Sequence, residues 1–425
     1  MIKTVEKTLI VIIMVGLFLC KGSPLPGLGS TPFYLIILVM LGCIVVVRNL
    51  FLENNQTVIR GLGSISLLII LNVVLVSILN AKIDIGRILL IVFSFLFFWA
   101  CKENMDSEKN IRFFYKWYIF IIAISSLFAI GQYFEIPFCT TVWQSLHVLT
   151  EEAVKTSTEM VPEAINEKRY LGLASDALMF GYQVSTAFIL TLFMNFKEKR
   201  ILKFILMALF IFAIFVNNTR SAWIVVAVTV FLYMFKLPSS SSKRVKTCIR
   251  FFASVLVLSI ILVNYVVGFD VLNDTRFEQV DAGTSARIPM ILTAFNHALN
   301  KPFGYGVYSV DQNLIVGATN EEFSYVAENT AHNLFGNCVA SYGFIGLFLM
   351  VYLYWTTFKG YKAISKTDDM NTEYYYIAVV CLLGLLINAF FHNSYILNGE
   401  ISSFLFFGVI ASGISSVNKL RRENK

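Results

Sequence analysis

The stretch Glu328-Asn-Thr-Ala-His332-Asn333-Leu-Phe-Gly-Asn-Cys-Val-Ala-Ser341 leaves a long polar segment and runs into an apolar one spanning residues 333–357. As a helix, an apolar run of that length covers the roughly 30 Å of a bilayer's hydrocarbon. Its polar flank therefore marks a boundary between water and lipid, and His332 lies on it. An imidazole there titrates near neutral pH and can take up or release a proton.

The rest of the chain repeats that pattern. Of its 425 residues 57% are hydrophobic and only 14% charged, too little charged surface to keep a soluble chain of this size dissolved. Apolar runs fall near 8–22, 32–47, 64–79, 86–101, 117–134 and 171–196, then 201–217, 221–237, 251–269, 333–357, 374–391 and 401–417. The expected fold is all-α: a polytopic membrane protein of about twelve transmembrane helices forming one membrane domain over 1–425. An even count puts both termini on one side. With that side cytoplasmic, the inner connections hold 24 of the 34 lysines and arginines, the bias that orients membrane proteins. A net charge of +7 so distributed reflects topology, and no nucleic-acid partner is expected.

The basic start and the apolar run from Thr8 to Cys20 could pass for a signal peptide. No small-x-small cleavage site follows, and the run is kept as the first span. The seven cysteines are scattered, with no Cys-x-x-Cys pair, and support neither a disulfide framework nor a zinc site.

Two outer segments are too long to be turns. The acidic loop 135–170 reads as a solvated cap with room for a surface helix. The larger loop 270–330, between spans nine and ten, shows helix spacing after Ser285 through Ile288, Ile291, Leu292, Phe295, Ala298 and Leu299, and Asn300-Lys301-Pro302 ends it. Long ordered loops in compact proteins usually carry function.

Two arginines stand at comparable boundaries. Arg220, in Asn217-Asn218-Thr219-Arg220-Ser221-Ala222-Trp223, begins span eight, with Asn218 or Thr219 available to cap it. Arg287 begins the loop helix behind Thr284 and Ser285. Each could be an interfacial anchor, Arg220 with Trp223 in an aromatic belt. A cation in a first helical turn opposes the helix dipole, however, and two on one membrane face suggest an anion between them. His332 has rivals in His392, which also precedes an asparagine, and in His297 and His147, read as surface residues.

The order Thr-Arg220-Ser-Ala-Trp, then Ser285-Ala-Arg287 with Lys301-Pro302-Phe-Gly304-Tyr-Gly306, then Ala331-His332-Asn333-Leu-Phe with Ser341-Tyr-Gly343-Phe-Ile-Gly346 resembles the O-antigen ligase and O-antigen polymerase superfamily. The resemblance covers about Asn217 to Leu353 and departs at Pro289, where a helix former is expected. It implies a bacterial cytoplasmic-membrane glycosyltransferase acting on the outer face, with an undecaprenyl-diphosphate-linked oligosaccharide as donor and a glycan as acceptor. Within it, Arg220 and Arg287 grip the diphosphate and His332 is the base for the acceptor hydroxyl. Ser221, Asn333 and His392 are the supporting candidates. No outward Asp-x-Asp motif is present, so a reaction without metal or other cofactor is expected. A repeat-unit polymerase is preferred to a ligase or a protein O-glycosyltransferase, and a chain-length regulator or a flippase would be its protein partners. The rival class is a transporter without catalysis, which the membrane-embedded Asn72, Gln183, Asn264 and Asn388 would suit. Transporter sites usually lie at the membrane midplane in two related halves, whereas these charges lie on one face in one half.

Overall fold

The computed structural model describes residues 2–19, 33–48, 62–80, 85–147, 169–175, 177–196, 199–235, 294–296, 298–304, 333–366, 372–391 and 401–423. Among them the regular structure is helical. In chain order the helices are α1 (Ile2–Leu19), α2 (Phe33–Val47), α3 (Leu62–Leu79), α4 (Ile85–Asn104), α5 (Glu108–Tyr133) and α6 (Pro137–His147). They continue as α7 (Ala177–Phe193), α8 (Arg200–Asn217), α9 (Arg220–Phe235), α10 (Leu334–Ile364), α11 (Thr372–Phe391) and α12 (Ser402–Glu423). Six of these, α3, α5, α8, α10, α11 and α12, are long and apolar enough to cross a membrane, while α2, α7 and most of α9 are shorter apolar helices. Eleven of the expected spans coincide with helices, and 251–269 lies outside the described residues.

Side-chain bonds mark two ends of the bundle. At the first, Lys3 meets Asp106, Lys7 donates to Asn110, Arg112 to the Asn195 carbonyl and Lys203 to the Leu192 carbonyl, while Tyr374 donates to Glu108. At the second, Asn80 donates to the Gly304 carbonyl, Gln132 to that of Gly172, Asn217 to that of Tyr170 and Asn333 to that of Phe390. Lys3, Lys7, Arg112 and Lys203, among the basic residues that bias the topology, gather at the first end. A buried ion pair also sits there: Arg48 Nε lies 2.9 Å from Glu6, both within 3% of complete burial, and Asn104 donates to the other carboxylate oxygen at 2.6 Å.

The most buried helix is α7, whose residues 179–193 are all inside. It packs on α5, α8, α9 and α11, and α12 closes the core against α4, α10 and α11. Exposed apolar residues such as Phe204, Phe231, Phe348 and Trp355 lie on the outer faces of their helices, as a lipid-facing surface requires.

Three expectations are corrected by packing. The run 171–196 is a 17-residue helix preceded by a strap, because the Gln132 amide holds the backbone of Leu171 and Gly172 in three hydrogen bonds and Gly172 takes φ +60°. His147 is no free surface residue: it ends α6, its ring lies tilted against Trp143 and it bonds the Leu173 carbonyl at 2.9 Å. In the loop helix, Ala294 and Ala298 are buried and Phe295 meets the Phe344 ring, but Leu299 is 70% exposed and lies off the packed stripe.

Candidate functional site

Arg220 is the first residue of α9 and is exposed at the second end of the bundle. The hairpin before it is built from polar side chains. Asn218 is left-handed (φ 52°, ψ 36°) and caps the C-terminus of α8, its N–H reaching the Ile214 and Phe215 carbonyls. It therefore does not cap α9, because an αL residue that closes one helix cannot also adopt the extended backbone of an N-cap. Thr219 does not cap by its side chain either: its carbonyl accepts from Ala222 N, while its buried hydroxyl has no partner. Asn217 Nδ2 donates to the carbonyls of Tyr170 and Ala177 at 3.0 and 2.9 Å, tying the end of α8 to the start of α7. Directly behind Arg220, Ser221 is 2% exposed with its Oγ unpartnered.

Asn333 caps α10. Its Oδ1 accepts from the N–H groups of Phe335 and Gly336 at 2.8 and 3.2 Å, from an extended backbone (φ −150°, ψ 134°). Its Nδ2 donates to the Phe390 carbonyl at 2.6 Å, and the Phe335 and Phe390 rings meet edge to face. One side chain thus sets the start of α10 and latches it to the end of α11. His332 immediately precedes this cap and His392 immediately follows α11; both, with Arg287 and His297, lie outside the described residues.

The motif residues 301–304 and 341–346 meet. At Gly343, α10 breaks into φ 67°, ψ −166°, and Phe344 N bonds the Pro302 carbonyl at 3.1 Å. A Cβ at Gly343 would collide with that carbonyl oxygen, and one at Gly304 (φ +73°) would stand 2.6 Å from Gly343 N. The two glycines exist at these places because backbone touches backbone. Asn80 at the end of α3 binds the Gly304 carbonyl at 3.2 Å and holds the junction from below. The apolar run 333–357 reads as one uninterrupted span, and the helix instead breaks within it. The signal for the break was the Gly343 of the quoted motif, whose contact partner is distant in the chain.

Among the described residues, no group of three or more His, Cys, Asp or Glu side chains is placed to hold a metal ion. The cysteines at 43, 101, 139, 338 and 381 are free. Burial pushes the Cys139 thiol up from its ordinary value, which disfavours a nucleophilic role at neutral pH.

These features define a polytopic helical membrane protein whose arginine-bearing turn and asparagine-capped helix share one end of the bundle. Residues 205–351, from within α8 to within α10, match the family described as O-antigen ligase. That matched segment contains Arg220, Arg287 and His332. No curated protein matches the chain.

Proposed function

We propose that this chain is an integral-membrane glycosyltransferase that moves a glycan from an undecaprenyl-diphosphate carrier to a sugar acceptor on the outer face of the cytoplasmic membrane, as a repeat-unit polymerase of a surface polysaccharide. The observation that carries the reading is Arg220: it is exposed on the first turn of α9, right after a Thr219 whose hydroxyl makes no cap bond, inside the segment that matches the O-antigen ligase family. The N-terminal end of a helix and a guanidinium together suit a phosphate.

On this reading the chain has twelve spans, including 251–269, with both termini cytoplasmic and the outer loop 270–330 contributing to the site. The acceptor oxygen attacks the anomeric carbon of the carrier-linked sugar while the bond from that carbon to the phosphate oxygen breaks. The diphosphate leaves with the electron pair, and Arg220 and Arg287 stabilise its growing charge. His332 takes the acceptor's hydroxyl proton. Asn333 has a positioning role, because it fixes the start of α10 next to His332.

The test is purified protein incubated with a lipid-diphosphate-linked repeat unit, with products separated by size. A glycan ladder absent from His332→Ala supports the polymerase with His332 as base. Arg220→Lys is expected to lose on the order of a hundredfold in turnover, since a point charge does not reproduce a bidentate grip. A ladder from His332→Ala equal to wild type would refute the base assignment. Transfer of one unit to a separate acceptor, without a ladder, would make the protein a ligase.

A further inference from the structure

Three helices meet beneath Arg220 in two successive layers. In the lower layer, Ile189 of α7 and Val225 of α9 close on Gly384 of α11, standing 2.9 and 3.0 Å from the place a Cβ on that glycine would take. α11 runs antiparallel to α7, because Ser185, one turn before Ile189, is bonded to Asn388, one turn after Gly384. α9 runs alongside α7 in the same sense, since Thr219 abuts Gly181 near the start of both. One turn toward Arg220 from the lower layer therefore stand Ser185, Ser221 and Asn388, each four positions from its apolar counterpart and on the same helix face. All three are at least 98% buried.

Hydrogen bonds decide which way this polar layer faces. The Ser185 hydroxyl donates to the Tyr182 carbonyl at 3.1 Å, so toward Asn388 it accepts, and Asn388 Nδ2 donates to it at 3.2 Å. That orientation turns Asn388 Oδ1 away from Ser185. Asn388 Oδ1 has no hydrogen-bond partner, and neither has Ser221 Oγ on the neighbouring helix. Two buried polar atoms without partners weaken a packed helix interface unless a guest completes them. The guest's chemistry follows from theirs. An amide oxygen accepts and a serine hydroxyl both accepts and donates, so an O–H group satisfies both, whereas an anion would meet the amide oxygen's lone pairs. A cation would find no carboxylate among the three residues.

We propose that Asn388 and Ser221 form a subsite for one neutral hydroxyl of the transferred glycan, one step inward of Arg220; the identity of the guest rests on the glycosyltransferase reading. The lower layer of Ile189, Val225 and Gly384 is the apolar floor that limits how deep the hydroxyl sits.

The test is equilibrium binding of the repeat-unit oligosaccharide, freed of its carrier by mild acid, to the full chain in lipid nanodiscs, with thermal unfolding measured alongside. Ser221→Ala is expected to weaken binding about three- to tenfold. Its melting temperature should stay level or rise, because the change deletes a buried hydroxyl that has no protein partner. Asn388→Leu is expected to weaken binding by at least as much, and competition by undecaprenyl diphosphate should be unchanged in both. Unaltered oligosaccharide binding in Ser221→Ala overturns the proposal; if its melting temperature falls as well, the layer holds an ordered water. The reaction assay separates the two readings. Wild-type protein that binds the oligosaccharide through these residues but makes no product removes the glycosyltransferase reading and keeps the subsite. Product formed equally well, at equal affinity, by wild type and Ser221→Ala does the reverse.

Discussion

Replacing Gly343 by alanine attacks a place where, among the described residues, the outer loop and α10 touch backbone to backbone. The substitution carries two costs. A φ of 67° with ψ −166° lies in a region that is essentially glycine's, and an L-residue there costs about 1–3 kcal/mol. The new methyl would also overlap the Pro302 carbonyl and stand 2.8 Å from Gly304 N, so residues 302–304 must retreat and the 3.1 Å bond from Phe344 N is lost. That bond is worth about 1 kcal/mol net. The sum is about 2–4 kcal/mol, much of a typical folding stability of about 5–15 kcal/mol. Thermal unfolding of the full chain should show a clear drop in melting temperature, and hydrogen exchange should show faster exchange at Phe344 than in wild type. Gly304→Ala should produce the same pair of effects. The double substitution should cost less than the sum of the single ones, because both break one contact. Wild-type melting together with wild-type exchange at Phe344 in Gly343→Ala would refute the argument, since no relaxed helix can carry a Cβ there without moving Pro302.

Asn333→Ala removes the cap of α10 and its bond to the Phe390 carbonyl, so stability should fall by about 1–2 kcal/mol. In the transfer assay it should lower turnover while leaving donor affinity near wild type, and equal losses in both would assign Asn333 to the substrate instead. Arg48→Ala should destabilise by about 3–5 kcal/mol, because it strands the buried Glu6 carboxylate, whereas the pair Arg48→Met with Glu6→Gln should recover most of that loss; denaturation of all three proteins decides it. Cys139 should resist alkylation in the native state at pH 8, since its raised pKa leaves little thiolate there, and should label faster as pH climbs further. Rapid native labelling at pH 8 would contradict its packing against Gly131.

Much of this architecture was legible in the residues. Apolar runs fix helices wherever lipid or a core leaves the backbone no other hydrogen-bond partner, so eleven expected spans coincide with helices. Of the lysines and arginines counted along the chain, Lys3, Lys7, Arg112 and Lys203 likewise share one end of the bundle. For the candidate site, the position of Arg220 at a helix start could be read from Asn217-Asn218-Thr219, although the role of Asn218 could not. A run of polar residues between two spans shows that a turn exists, but which helix end each one closes depends on backbone angles set by packing.

Tertiary structure alone decided what joins distant parts of the chain. Asn388 read as one polar residue in a span that a transporter would suit, and only the antiparallel packing of α7 and α11 sets its amide nitrogen on Ser185 and leaves its oxygen without a partner. Gly304 and Gly343 read as separate motifs, yet they are two sides of one contact. The sequence by itself determined the all-helical membrane class and the order of the family motifs, because hydrophobic period, helix length and charge bias are local properties. The break in α10, the latch from Asn333 to α11 and the buried polar layer came only with the folded chain, because each depends on a hydrogen bond or a close approach between residues dozens to hundreds of positions apart.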